Sequence, residues 1–279
     1  MTVSTFREAK VSVQPGELFA SVRYALDDGT PKSFGQAPPD DHVVRLHDMR
    51  GHPDQPTLER EGFTLLPHRS SVVDFQDPAA IANVYIPEIA DLFRSITGSS
   101  TLVMQDNWVL RGEDRSAFKH TPVGGGKVEN QMRTGGFVHV DYDAAGAASW
   151  ANYTLAKAGR SAPTDGRLLV LTAWRAFSAP PQDKPLACID RRTAAPEDLI
   201  PEEIASPILN WNGFQVKHNP AHRWLWWSDM HRDEVLIFIN HEDGVGLRAV
   251  VPHSAFGNPA CPPGVATRQS IEVRGYIWV

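Results

Sequence analysis

From Leu102 to its last residue the chain is a series of short apolar runs rich in Val, Ile and aromatic side chains: Leu102–Met104, Asn107–Arg111, Leu168–Arg175, Pro185–Asp190, Trp224–Trp227, Glu234–Ile239, Leu247–His253 and Ser270–Val279. Pro- and Gly-bearing stretches part them, so each reads as a strand rather than a turn of helix. Many such strands in series, with long irregular connections, close into a double sheet of the jelly-roll type. Twenty-two prolines and eight tryptophans fit long loops and an aromatic-walled pocket better than a helical bundle.

Upstream, Leu18–Tyr24, Val43–Asp48 and Gly62–His68 predict three further strands, and the polar, Pro-rich stretch from Asp27 to Asp41 predicts a surface loop. Between Asp77 and Thr97 the apolar residues change to helical spacing (Ile81, Val84, Ile86, Ile89, Leu92, Phe93, Ile96), with Asp77 as cap and Gly98 as stop. Ala144 to Ala158 predicts a second helix. The expected fold is therefore mainly β (α+β), a double-stranded β-helix (jelly roll, cupin-like) core with flanking helices and an N-terminal extension. No shift in composition divides the chain, so 1–279 reads as one domain, with 1–100 packing on a catalytic core at 101–279.

Charge and cysteine content narrow the function. The net charge is −6 with the signs interspersed, and no basic run is present to track phosphates, which argues against a nucleic-acid partner. No apolar segment is long enough to span a bilayer, and the two cysteines, Cys188 and Cys261, form neither a disulfide framework nor a thiolate zinc site. These features predict a cytoplasmic protein without a membrane partner, whose N-terminal extension is available for a homodimer contact. Gly124-Gly125-Gly126-Lys127 lacks the spacing and the following Ser/Thr of a phosphate-binding loop.

The chemistry centres on Phe137-Val138-His139-Val140-Asp141-Tyr142-Asp143. In a strand, His139 and Asp141 point the same way while the valines face a core. One imidazole and one carboxylate then converge on a point, and a second imidazole from a distant strand would complete the two-His, one-carboxylate triad that suits non-haem Fe(II). The same three residues also occur where a His is bonded to a carbonyl and an Asp merely opens a turn. Among His218, His222, His231, His241 and His253, the first four stand in turn-rich or charged surroundings. His253 follows an apolar run and Pro252, a buried approach to a strand end. Arg268 and Ser270, two apart at the head of the last strand, offer a guanidinium fork and a hydroxyl that match a far carboxylate. A surface ion pair is the alternative reading of Arg268.

H-x-D, a distal His and R-x-S on the next strand resemble the layout of the Fe(II)/2-oxoglutarate oxygenases. The wider pattern is similar to their CmcJ/NvfI-like branch, the AsaB-like hydroxylases and desaturases. It is carried by Thr57–Leu65, Asn107–Arg111, Val138–Tyr142, Ala173–Arg175 with Asp183–Ala187, His222–Trp224, Asp229–Met230, Asp233–Glu234, Pro252–Phe256 and Arg268–Arg274. Gln269 departs from it, standing where an acidic residue is expected, but a middle residue facing away from the pocket leaves the anchor intact.

The resemblance implies that His139, Asp141 and His253 hold Fe(II), and that Arg268 and Ser270 bind the 5-carboxylate of 2-oxoglutarate. With dioxygen as the oxidant, a C–H bond of a small molecule of secondary metabolism is hydroxylated, desaturated or cyclised. Asn107, Arg111 and Arg175 are further candidates for the co-substrate, the two arginines alternatively for ion pairs with Asp190 or Glu234. Trp174, Trp227 and Tyr142 are candidates for the substrate wall; of the adjacent Trp226 and Trp227, one must face away at period two. Two rival readings remain: a cupin-like metal dioxygenase without 2-oxoglutarate, and a non-enzymatic jelly-roll binding protein.

Overall fold

Strand parity decides the architecture, because alternate residues of each long strand face either a layer of helix or the interior between two sheets. The computed structural model describes residues 16–30, 32–33, 35–112, 131–132 and 136–279. Gly124–Lys127 and most of the N-terminal extension expected at a homodimer contact lie outside them.

In chain order the elements are β1 (Glu17–Ala25), β2 (Lys32–Ser33), β3 (Pro39–Asp48), β4 (Phe63–Pro67), α1 (Pro78–Ala80), a π-helical turn (Ile81–Tyr85) and α2 (Ile86–Thr97). There follow β5 (Leu102–Met104), β6 (Val109–Arg111), β7 (Gln131–Met132), β8 (His139–Val140), α3 (Ala144–Lys157), β9 (Leu168–Ala176) and β10 (Leu186–Ile189). The chain ends with β11 (Leu199–Ile204), β12 (Trp211–Val216), β13 (Trp224–Trp226), β14 (Glu234–Glu242), β15 (His253–Ala255) and β16 (Ser270–Trp278).

Two sheets form a nearly closed, jelly-roll-like barrel. One runs β1-β3-β13-β10-β15-β8-β12-β11-β2, and the other β4-β14-β9-β16-β6-β7 with β5 paired to β16. Strands from the first hundred residues thus extend both sheets. On the second sheet one parity, Leu171 and Ala173 of β9, Ile237 and Ile239 of β14, and Ile271, Val273 and Ile277 of β16, packs against Ile89 and Phe93 of α2. The helix lies so close that a Cβ on Gly275 would stand 2.7 Å from the Phe93 ring, which accounts for glycine at that point of β16. The other parity, Thr172, Trp174, Asn240, Ser270, Glu272 and Arg274, is left for the barrel interior.

The helix starts and stops where the capping signals predict: the Asp77 carboxylate accepts from Ala79 N, and Gly98 closes α2 with φ of 68°. Asp143 accepts from the Gly146 amide at 2.6 Å as the N-cap of α3, so its place is a helix start.

Three expectations are corrected. The polar stretch 27–41 is not all loop, since it contains β2 and the start of β3. Leu247 to Pro252 is not a strand: Gly246–Arg248 form a 3-10 turn after the positive-φ glycines Gly244 and Gly246, so His253 begins β15 instead of ending a run. The strands β11 and β12 were missing from the pattern, because Pro201, Glu202 and Glu203 in one and Asn212 and Gly213 in the other dilute the apolar signal.

Candidate metal centre

His139 and His253 are direct cross-strand partners on β8 and β15 in the middle of the larger sheet. Their backbones are thereby fixed a strand spacing apart, and their rings lie 4.4 Å apart between centroids. Asp141 follows two residues after His139, with its Oδ1 3.6 Å from His139 Nε2. One ligand atom from each of the three lies within 4.8 Å of the others, the only such group among the described residues.

The tautomers suit a metal. His139 Nδ1 is 2.9 Å from the Phe137 carbonyl and His253 Nδ1 is 3.0 Å from the Val251 carbonyl. A carbonyl only accepts, so each Nδ1 carries a hydrogen and Nε2 is the atom left to face a metal. Burial, with His253 alongside, lowers the His139 pKa to about 4, which keeps that imidazole neutral and able to donate its lone pair. Burial alone would raise the Asp141 pKa, but the Arg274 guanidinium together with His253 and His139 outweighs it, and the carboxyl is held well below the usual range. Two imidazoles oriented through Nδ1 and one carboxylate, without cysteine, are a donor set that fits Fe(II).

Beside the triad a cavity is lined by Arg111, Trp174, Leu186, Ala255, Arg268 and Glu272, with His139 and His253 at its floor. Arg268 is 1% exposed and its guanidinium carbon sits 5.1 Å from the centre of the Trp174 ring. Ser270 Oγ is buried with no hydrogen-bond partner among the described residues. A buried hydroxyl in that state, next to a buried guanidinium, fits an acceptor such as a ligand carboxylate. The residues present therefore fit both the metal and a keto-diacid.

A family model described as "Oxidoreductase/YMDC permease-like domain" matches residues 13–278. The chain belongs to this oxidoreductase family. Its relatives include the Fe(II)/2-oxoglutarate-dependent dioxygenase nvfI of Aspergillus novofumigatus (strain IBT 16806), 28% identical over 258 residues that cover 88% of this chain and 85% of the relative. The alpha-ketoglutarate-dependent dioxygenase phiK of Fungal sp. (strain ATCC 74256) is 29% identical over 252 residues, with 88% and 86% covered. The hydroxylase/desaturase efuI of Hormonema carpetanum is 28% identical over 289 residues, with 98% and 92% covered. Among solved structures, the iron and alpha-ketoglutarate-dependent endoperoxidase NvfI superposes with a TM-score of 0.76 at 24% identity, covering 95% of this chain and 99% of that one, a likeness of fold. No helix among the described residues is long and apolar enough to cross a membrane.

In this oxidoreductase the other predicted residues divide by parity. Arg111 reaches the cavity, 3.8 Å from Glu272 and not near Asp190 or Glu234. Arg175 does not, which corrects its assignment to the co-substrate. It shares the face of Leu171 and Ala173, and its guanidinium is locked toward α2 by Tyr85 Oη (3.1 Å), the carbonyls of His68 (2.9 Å) and Arg232, and His68 Nδ1 (2.6 Å). Asp190 and Glu234 pair instead with Arg192 and Arg50.

Asn107 accepts from Gln105 Nε2 at 2.6 Å and does not line the cavity. Tyr142 is buried with Trp150 and Tyr276, its hydroxyl 3.5 Å from Gln105 Oε1, so it packs the core rather than a substrate wall. Trp227 packs edge-on against Phe63 and donates to Gln55, and it does not line the cavity. Trp226 packs edge-on against Phe256 in another cluster, so neither of the adjacent pair lines the cavity. Trp174 is the one aromatic of the predicted set on the cavity wall. Gln269 points out to accept from Gln76 at 3.3 Å.

Two residues went unnoticed in the sequence. Asn240 Nδ2 and Arg274 Nη2 donate to Asp141 Oδ2 at 2.8 and 3.0 Å. A lone Asn after the apolar run Val235–Ile239 is the signal that was there to be read.

Proposed function

We propose that this chain is an Fe(II)/2-oxoglutarate-dependent oxygenase, a single catalytic domain acting in the cytoplasm on a C–H bond of a small molecule of secondary metabolism. The observation that carries the reading is the convergence of His139 Nε2, Asp141 Oδ1 and His253 beside a cavity lined by Arg268, with the buried Ser270 two residues further along the chain. Family membership and the dioxygenase relatives support it.

His139 and His253 would hold the metal through Nε2, each ring aimed by its Nδ1–H bond to a carbonyl. Asp141 supplies the negative charge. Arg268 and Ser270 would grip the distal carboxylate of 2-oxoglutarate, the guanidinium through paired charge-assisted bonds and the hydroxyl by donating its proton. Trp174 stacks under the guanidinium and fixes its plane. When bound, iron with 2-oxoglutarate and dioxygen supplies the oxidising power to break an unactivated C–H bond, with succinate and carbon dioxide as co-products. The protein's part is to orient the reactants and to keep water from the cavity through Leu186 and Ala255. Both cysteines are free thiols, in keeping with a reducing compartment.

The test is succinate formation from 2-oxoglutarate by the Fe(II)-loaded protein under air. Formation that requires iron and oxygen and fails in His253→Ala supports the reading. Metal-dependent oxygen uptake with no succinate would point to the cupin-like alternative, and no metal binding to a binding protein.

A further inference from the structure

We propose that Asn240 and Arg274 are positioning residues that hold Asp141 to one-oxygen ligation, and so keep a coordination position free for the co-substrate. The inference rests on the metal reading above.

Asp141 has its two oxygens in different surroundings. Oδ1 faces His139 Nε2 at 3.6 Å, whereas Oδ2 receives Asn240 Nδ2 at 2.8 Å and Arg274 Nη2 at 3.0 Å. Both acceptor sites of Oδ2 are in use, so a carboxylate that swung to chelate through both oxygens would have to release at least one donor. In a buried site that leaves a donor hydrogen of the amide or the guanidinium without its carboxylate acceptor, so the one-oxygen arrangement is favoured.

Each donor is itself held. Asn240 Nδ2 also donates to Thr172 Oγ1 at 2.6 Å, and because carboxylate and hydroxyl both accept here, the nitrogen must be the atom facing them. It stands on the inward parity of β14, where the β14–β9 register shifts between Ile239 and His241. Arg274 is tied on its other side to Glu272 Oε1 and lies 5.6 Å over the Tyr142 ring. Glu272 in turn forms part of the cavity wall with Arg268 and Arg111. The clamp on the metal carboxylate and the wall of the co-substrate cavity are thus one connected set of buried side chains.

The test uses the full chain with Mn(II) as the metal probe and Co(II) for its visible spectrum, each titrated with 2-oxoglutarate in Asn240→Ala, Arg274→Met and Arg274→Lys. Asn240→Ala and Arg274→Met should lower metal affinity by about tenfold or more. They should also weaken 2-oxoglutarate binding to the metal-loaded protein and change the Co(II) spectrum, and Arg274→Lys, which keeps a donor, should restore part of each. Asn240→Ala carries the test if Arg274→Met does not fold. Wild-type affinities in a folded Asn240→Ala, or affinities that fall only as thermal stability falls with no spectral change, would overturn the clamp. A wild-type protein that binds no Mn(II) would instead remove the metal reading itself, and the clamp with it.

Discussion

Far apart in the chain, His139 and His253 face each other in register across adjacent antiparallel strands, so backbone pairing alone sets how far apart the two imidazoles begin. Their Nδ1 bonds to Phe137 and Val251 then turn both rings the same way, each to the carbonyl two residues back. Backbone register and the two carbonyl bonds thus fix where both imidazoles point, and several consequences are measurable.

Arg268 and Ser270 are expected to govern co-substrate affinity alone. Two charge-assisted bonds at about 1.5–3 kcal/mol each correspond to a loss of roughly a hundredfold to ten-thousandfold. Arg268→Met should therefore raise the 2-oxoglutarate Kd by at least about a hundredfold, and Ser270→Ala by about tenfold, with Mn(II) affinity retained. Calorimetric titration of both ligands checks this, and a variant that loses metal with co-substrate would contradict it.

Arg175→Met should behave in the opposite way. Its guanidinium is spent on Tyr85, His68 and the Arg232 carbonyl, so truncation leaves buried acceptors unpaired at a cost of about 3 kcal/mol or more. Urea unfolding should show the loss, while 2-oxoglutarate Kd measured well below the transition stays at the wild-type value. A raised Kd at unchanged stability would return Arg175 to the co-substrate site.

Acid should destabilise the fold through His222. This ring lies between Tyr24 Oη (3.2 Å) and Asp198 Oδ2 (3.1 Å), and burial lowers its pKa although the Asp198 bond opposes the shift. Once the pH drops below the unfolded value of about 6.5, the unfolded chain takes up more protons than the folded one, and stability falls with pH. His222→Gln removes that term. The variant should be less stable than wild type at pH 7.5, with the gap narrowing at pH 5.5 in metal-free protein. A gap in thermal midpoint that stays constant would contradict the assignment.

What could be read in advance was what lies close in sequence or repeats with a clear period. His139 and Asp141 stand two apart, the α2 stripe runs at helical spacing, and Arg268 and Ser270 open a strand. Parity relative to the core was harder: Trp174 and Arg175 are neighbours, and only the packing of α2 over Leu171 and Ala173 shows which one reaches the cavity. Residues that act on another side chain, such as Asn240 and Arg274, leave no local spacing to find. Their roles depend on the pairing of β14 with β9 and of β9 with β16, which brings distant segments beside Asp141.

The most direct measurement is an anomalous difference map at the iron edge, from crystals grown anaerobically with Fe(II) and 2-oxoglutarate. The account predicts one peak bonded to His139 Nε2, Asp141 Oδ1 and His253 Nε2, with the co-substrate running from it to Arg268. A peak at another histidine pair, such as the stacked His42 and His218 with centroids 3.6 Å apart, and none at the triad would contradict it.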